Sequence, residues 1–147
     1  MSNLLNSINE TLLMGPGPSS VSPTVYDSIG KSTIGHLDPK FIEIMDAIKI
    51  QLQVLMGTKN ELTIPISGTG SAGMETCFVN LIEKNENVLI LSNGVFGGRM
   101  IDVCERLGAN VDSLNQKWGE PITPEMVSEK LSHKKYDLVA IVHAETS

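Results

Sequence analysis

Residues Glu61 to Leu81 read ELTIPISGTGSAGMETCFVNL. Leu62 to Ile66 favour an extended strand, Ser67-Gly68-Thr69-Gly70-Ser71 follow without a bulky side chain, and Met74, Cys77, Phe78 and Leu81 then recur at helical spacing. Strand, small-residue turn and helix are thus written into one stretch. Glycine lets the backbone turn tightly without a Cβ clash. The first turn of the helix offers unpaired N–H groups at the positive end of its dipole, and the Ser and Thr hydroxyls add donors. Such a bend is built to hold an anion, a phosphate above all.

Three readings of the bend compete. In the simplest, Ser or Thr only caps the helix of a βα connection. In the second the site takes a nicotinamide dinucleotide, because Gly68-Thr69-Gly70-Ser71-Ala72-Gly73 matches G-x-G-x-x-G. That fingerprint wants an acidic residue at the end of the next strand, yet Val88 to Leu91 run into Ser92-Asn93-Gly94. A nucleoside triphosphate loop would need Gly-Lys-Ser/Thr, which is missing. The third reading is pyridoxal 5′-phosphate (PLP), whose single phosphate needs a cradle and whose ring needs a stacking partner.

The rest of the chain bounds these readings. Its 147 residues suit one medium domain with enough apolar content for a core. A net charge of −6 argues against nucleic acid or an anionic membrane as the main partner. No apolar run reaches spanning length, and the first thirty residues lack a secretory pattern, so a cytoplasmic protein is expected. Cys77 and Cys104 are isolated at apolar helical positions and are expected as buried free thiols. His36, His133 and His143 are too scattered for a zinc site.

In chain order, Gly15-Pro16-Gly17-Pro18 excludes regular helix or sheet and fixes an irregular path, either a shaped loop at a site or a plain connection. A short helix is expected at Thr24 to Ser28. From Pro39 to Met56 the residues Phe41, Met45, Ile48, Leu52 and Leu55 form an apolar stripe for core or subunit packing, with Asp38 as N-cap and Gly57 as terminator. After the opening stretch the pattern alternates. Strands are expected at Asn87 to Ser92, Ala109 to Leu114 and Asp137 to Val142, with helices at Gly97 to Leu107 and from Thr123-Pro124 to Leu131. This order means an α/β fold with a mainly parallel sheet, whose ligands gather beyond the carboxyl ends of the strands. At those ends stand the Ser67 to Ser71 bend, Phe96 between Gly94 and Gly97-Gly98, and His143-Ala144-Glu145-Thr146-Ser147. Aromatics are scarce here, and flanking glycines tend to turn the Phe96 ring out of the core.

Gly15-Pro16-Gly17-Pro18, Gly35-His36, Ile44-Met45-Asp46, Ser67-Gly68-Thr69-Gly70 with Glu75, Asn93 to Arg99 and His143 to Ser147 occur in the order and spacing of a known family. Over nearly its whole length the chain resembles the class V PLP-dependent aminotransferases, most closely the alanine-glyoxylate and serine-pyruvate branch. The resemblance implies fold type I, with helices on both faces of the sheet. Residues 1–20 would form an N-terminal arm with the Gly-Pro loop, and 21–147 the N-terminal part of the PLP-binding large domain. It also implies transamination between a small amino acid and a 2-oxo acid such as glyoxylate or pyruvate, in a homodimer. The alternatives are a dinucleotide-binding segment of an oxidoreductase and a non-catalytic module of the same fold.

By the same resemblance, Ser67, Gly68, Thr69, Gly70 and Ser71 would hold the phosphate, Phe96 would stack on the pyridine ring, and Thr146 would bond the 3′-oxygen side. Gly15, Pro16 and Gly17 would line the substrate pocket. Arg99 would serve as a structural ion-pair partner, and His36 and His143 as hydrogen-bonded residues near the site. Relatives often carry Trp at position 96 and His at position 71; Phe keeps a π-face of smaller area, and Ser keeps a phosphate donor. The ring-nitrogen Asp, the Schiff-base Lys and a carboxylate-binding Arg are expected beyond Ser147. No catalytic residue and no metal ligand is therefore assigned within 1–147, and this segment alone is expected to be inactive.

Overall fold

A computed structural model describes residues 4–15 and 17–147, in two compact units, 1–66 and 67–147. The first unit contains a 3-10 turn at Leu4–Ser7, helix α1 at Pro23–Ile29 and helix α2 at Pro39–Met56. The bounds of α2 follow its punctuation. The Asp38 carboxylate accepts the Lys40 N–H at 2.8 Å, Pro39 opens the first turn, and Gly57 closes the helix in the left-handed region at φ 62°. Its apolar stripe differs from the expected core. Phe41, Met45, Ile48 and Leu52 are half-buried, Leu55 is exposed, and no residue of α2 is fully buried.

The second unit holds α3 (Gly70–Leu81), β1 (Asn87–Ser92), α4 (Val95–Arg106), β2 (Asn110–Asn115), α5 (Pro124–His133) and β3 (Leu138–Ile141). Its strands lie in the order β2-β1-β3, and both pairings are parallel, with Val88 opposite Val111 and Leu138. Central placement of β1 follows from its sequence, since Val88-Leu89-Ile90-Leu91 is apolar on both faces and only a strand covered on both sides tolerates that. Val88 and Ile90 pack with Phe78 of α3, with Ile82 just after it, and with Val103 and Cys104 of α4. Leu89 and Leu91 face the other way, against Leu114 and the α5 residues Met126 and Val127. Helices therefore cover both faces of a parallel sheet, as expected.

Three expectations need correction. Leu62 to Ile66 form no strand, because a strand needs a hydrogen-bonded neighbour and no described segment pairs with them. Cys77 is exposed, and so is Leu81. The inward line of α3 runs through Met74, Phe78 and on to Ile82 at steps of four, which rotates Cys77 and Leu81 off the core side. Cys104 is buried as expected, and burial, with Glu105 nearby, pushes its thiol up to about 11.

Across the sheet, Asp112 of β2 accepts the Tyr136 hydroxyl at 2.7 Å and the Lys134 ammonium at 2.9 Å, tying the link into β3 back to β2. The Lys134 bond, then the Tyr136 bond, holds the Asp112 carboxyl below its usual range.

Helix α4 approaches the end of β1 closely at Gly97. A Cβ there would lie 2.8 Å from the Ser92 Cα, whereas a Cβ at Gly98 would meet open space. Gly97→Ala is therefore expected to lower the urea midpoint by the equivalent of about 1–3 kcal/mol through overpacking. Gly98→Ala should leave the midpoint unchanged or raise it, by up to about 1 kcal/mol, through helix propensity. Equal effects at the two positions would contradict this packing.

Candidate functional site

Within the 67–147 unit, three segments meet at the edge where the strands end. The 12 residues of α3 span about 18 Å and the 6 of β1 about 20 Å. A short link, 82–86, joins them, and they pack side by side. The helix therefore runs antiparallel to the strand, and its first turn lies at the carboxyl edge of β1. There α4 begins, and there the chain leaves β3 towards 143–147.

At the start of α3, Thr69 is extended (φ −73°, ψ 164°), and its Oγ1 accepts the Ala72 N–H at 3.2 Å. This is the capping role of the simplest reading. It leaves the hydroxyl proton free to be donated, and it leaves the N–H groups of Gly70 and Ser71, the first two of the helix, without intrahelical acceptors. Ser67 to Ser71 are all exposed. A Cβ at Gly70 would meet open space. The bend is thus an accessible set of donors at the positive end of a 12-residue helix.

The start of α4 is built differently. Its N-cap is Gly94, which has no side chain to offer, and acceptors arrive from the end of the chain. Ser147 Oγ accepts the Val95 N–H at 2.9 Å, and Glu145 Oε2 accepts those of Phe96 and Gly97 at 3.1 and 3.2 Å. Of the two helix starts at this edge, one is filled by a carboxylate and one is open. The sequence did not single out Glu145 or Ser147 for this role. The only sign of it is that Gly94 cannot cap the helix it precedes.

Phe96, in the first turn of α4, is 38% exposed and belongs to neither core cluster. Thr146 is also exposed, and no described residue bonds its hydroxyl. A cavity of about 330 Å³ at the same edge is lined by Asn93, Gly119, Pro121, His143, Glu145 and Ser147, rather than by Phe96 or the 67–71 bend. At its wall the Asn93 amide donates to the Glu120 carbonyl at 3.0 Å. Arg99 pairs with Glu75 at 3.6 Å and with Asp102 at 3.8 Å, as a structural partner should. His36 and His143 are both exposed rather than enclosed. Of the substrate-pocket candidates, Pro16 lies outside the described residues, and Gly15 and Gly17 belong to the other unit. There the loop carrying Gly17 (φ 134°) is closed by Ser20 N–H to the Leu13 carbonyl at 3.3 Å and Leu13 N–H to Ser20 Oγ at 3.0 Å. Among the described residues no His, Cys, Asp or Glu cluster could hold a metal ion, and no helix is long and apolar enough to cross a membrane.

No family profile matches the chain. The alanine–glyoxylate aminotransferase of Rattus norvegicus is 39% identical over 96% of this chain and 34% of its own length. The (S)-ureidoglycine–glyoxylate transaminase of Bacillus subtilis is 38% identical over 92% of this chain and 32% of its own. The crystal structure of an alanine–glyoxylate aminotransferase from Nostoc sp. superposes with a TM-score of 0.82 at 41% identity, covering 96% of this chain and 37% of that one. Over nearly its whole length the chain is similar to one stretch of these aminotransferases. It spans about a third of the length of the curated relatives it matches. The aminotransferase fold gives the three-stranded parallel sheet its context, and the edge just described is the edge at which α/β sheets take their ligands.

Burial pushes the Glu145 carboxyl up, but the bonds from Ser147 Oγ–H and from the N–H groups of Gly97, Phe96 and Thr146 outweigh it and hold it below its ordinary 4.5. A group depressed in the folded state contributes fully above its unfolded value, and the contribution is lost as pH falls through the folded value. Hydrogen-exchange protection at Val95, Phe96 and Gly97 is therefore expected to be constant from neutral pH down to 4.5 and to fall below it, before the β1 amides lose theirs. Simultaneous loss at both places would contradict a local cap.

Proposed function

We propose that the protein carrying this stretch is a PLP-dependent aminotransferase. It would move an amino group between a small amino acid of the alanine or serine type and a 2-oxo acid of the glyoxylate or pyruvate type, with this chain as its cofactor-binding part. One observation carries the proposal: an open helix start with unused donors and an exposed aromatic ring share one edge of a parallel sheet. Residues of this unit would supply both requirements of PLP, a phosphate cradle and a stacking face.

When bound, PLP would supply the electron sink on which amino-group transfer depends. The chain's own residues bind and orient. The N–H groups of Gly70 and Ser71 and the hydroxyls of Ser67, Thr69 and Ser71 are donors for a phosphate, strengthened by the helix dipole and by hydrogen bonding to a charged acceptor. Gly68 keeps the bend free of side-chain bulk. The Phe96 ring offers a flat apolar face that fixes the plane of an aromatic heterocycle and shields one side of it from water. The Thr146 hydroxyl can donate to an oxygen on that ring. Gly15, Pro16 and Gly17 are assigned to the substrate pocket by the family resemblance, from which a homodimer is also expected.

The test is a titration of the complete protein with PLP, followed by an assay with alanine and glyoxylate. Phe96→Ala is expected to weaken PLP binding about tenfold, from the ~1–3 kcal/mol that an aromatic face gives to a stacked ring. Phe96→Trp should match or exceed the parent. Failure of the protein to take up PLP, or unchanged affinity in Phe96→Ala, would overturn the proposal.

A further inference from the structure

The first turn of α4 is held entirely by residues 48 to 52 positions away in sequence. Glu145 is the hub. Its Oε2 accepts from Phe96 and Gly97, and its Oε1 accepts the Thr146 N–H at 3.1 Å and the Ser147 hydroxyl at 2.9 Å. Four donors thus converge on a group that only accepts, which matches a carboxylate and nothing else of that size. The neighbouring backbone is shaped to admit it: a Cβ on Gly94 would overlap Glu145 Cγ and Cδ and Ser147 Oγ. Two of the four donors are main-chain groups of Phe96 and Thr146, the residues assigned to opposite roles at the cofactor.

We infer that Glu145 is a positioning residue whose carboxylate mounts Phe96 and Thr146 on one support, fixing the stacking ring and the ring-oxygen donor relative to each other. The inference rests on the reading of those two residues as PLP contacts. Without the carboxylate, the N–H groups that open α4 lose their acceptors and the first turn frays, carrying the Phe96 ring with it. An amide cannot substitute, because one of its two ends would present hydrogens to a pair of donors.

The experiment is a PLP titration of the complete protein, read by the dissociation constant and by the circular dichroism that the bound cofactor acquires in the visible band. Glu145→Gln is expected to weaken binding about tenfold, the loss of one or two hydrogen bonds to a charged acceptor, and to reduce the induced dichroism at saturation. Ser147→Ala, a milder change that keeps the carboxylate, should weaken binding about two- to threefold, and it carries the test if Glu145→Gln does not fold. In a Phe96→Ala background the Glu145→Gln effect should shrink, since the residue acts through that ring. Lower thermal stability with unaltered affinity and dichroism would mark Glu145 as a structural cap only and overturn the inference. So would an undiminished effect in the Phe96→Ala background. Parent protein that takes up no PLP would overturn the functional reading and the inference together, whereas PLP uptake with insensitive Glu145 and Ser147 variants would overturn the inference alone.

Discussion

Burial of β1 on both faces is the constraint on which the second unit depends. Val88, Leu89 and Ile90 are fully buried, with residues of alternate parity facing opposite helical layers. Each is worth about 1.5–3 kcal/mol of transfer free energy, so three such side chains rival the net stability of a whole domain. Once β1 is central and parallel to both neighbours, the direction of every connecting helix follows. The start of α3, the start of α4 and the exit from β3 are brought to one edge.

At that edge, two helix starts that look alike in sequence are used in opposite ways. Ser67-Gly68-Thr69-Gly70-Ser71 and Asn93-Gly94-Val95-Phe96-Gly97-Gly98 are both rich in glycine and both precede a helix. Thr69 caps α3 locally with one hydroxyl and leaves N–H groups over. Gly94 caps nothing, and the vacancy is filled by Glu145 and Ser147. A negative charge already occupies the positive end of the α4 dipole, so under the proposed function a phosphate would take the start of α3. The two starts thus differ electrostatically, one open and one filled by an anion of the chain.

Much of this was legible in the sequence because it is local. Periodicity placed β1 and α4, Asp38 and Thr123 marked helix starts, Gly57 marked a stop, and the scarcity of aromatics drew attention to Phe96. The strand expected at Leu62 to Ile66 failed because β-propensity describes a surface awaiting a partner, and a partner is a non-local fact. Cys77 and Leu81 were misplaced because the inward line of α3 continues into Ile82 beyond the helix, which shifts the buried face by a fraction of a turn. The role of Glu145 was hidden for the same reason as the missing strand. Two of its four hydrogen bonds, from Phe96 and Gly97, join segments that only the folded sheet brings together.

The central claim is that the open start of α3 and the ring of Phe96 hold the two ends of one PLP molecule. A crystal structure of the complete protein grown with PLP tests it most directly. The account predicts the phosphate within about 3 Å of the Gly70 and Ser71 N–H groups and of the Thr69 hydroxyl, with the pyridine ring stacked about 3.5–4 Å from Phe96. A phosphate seated instead in the cavity beside Asn93 and His143, or a Phe96 ring turned inward against Phe78 and Val103, would contradict it.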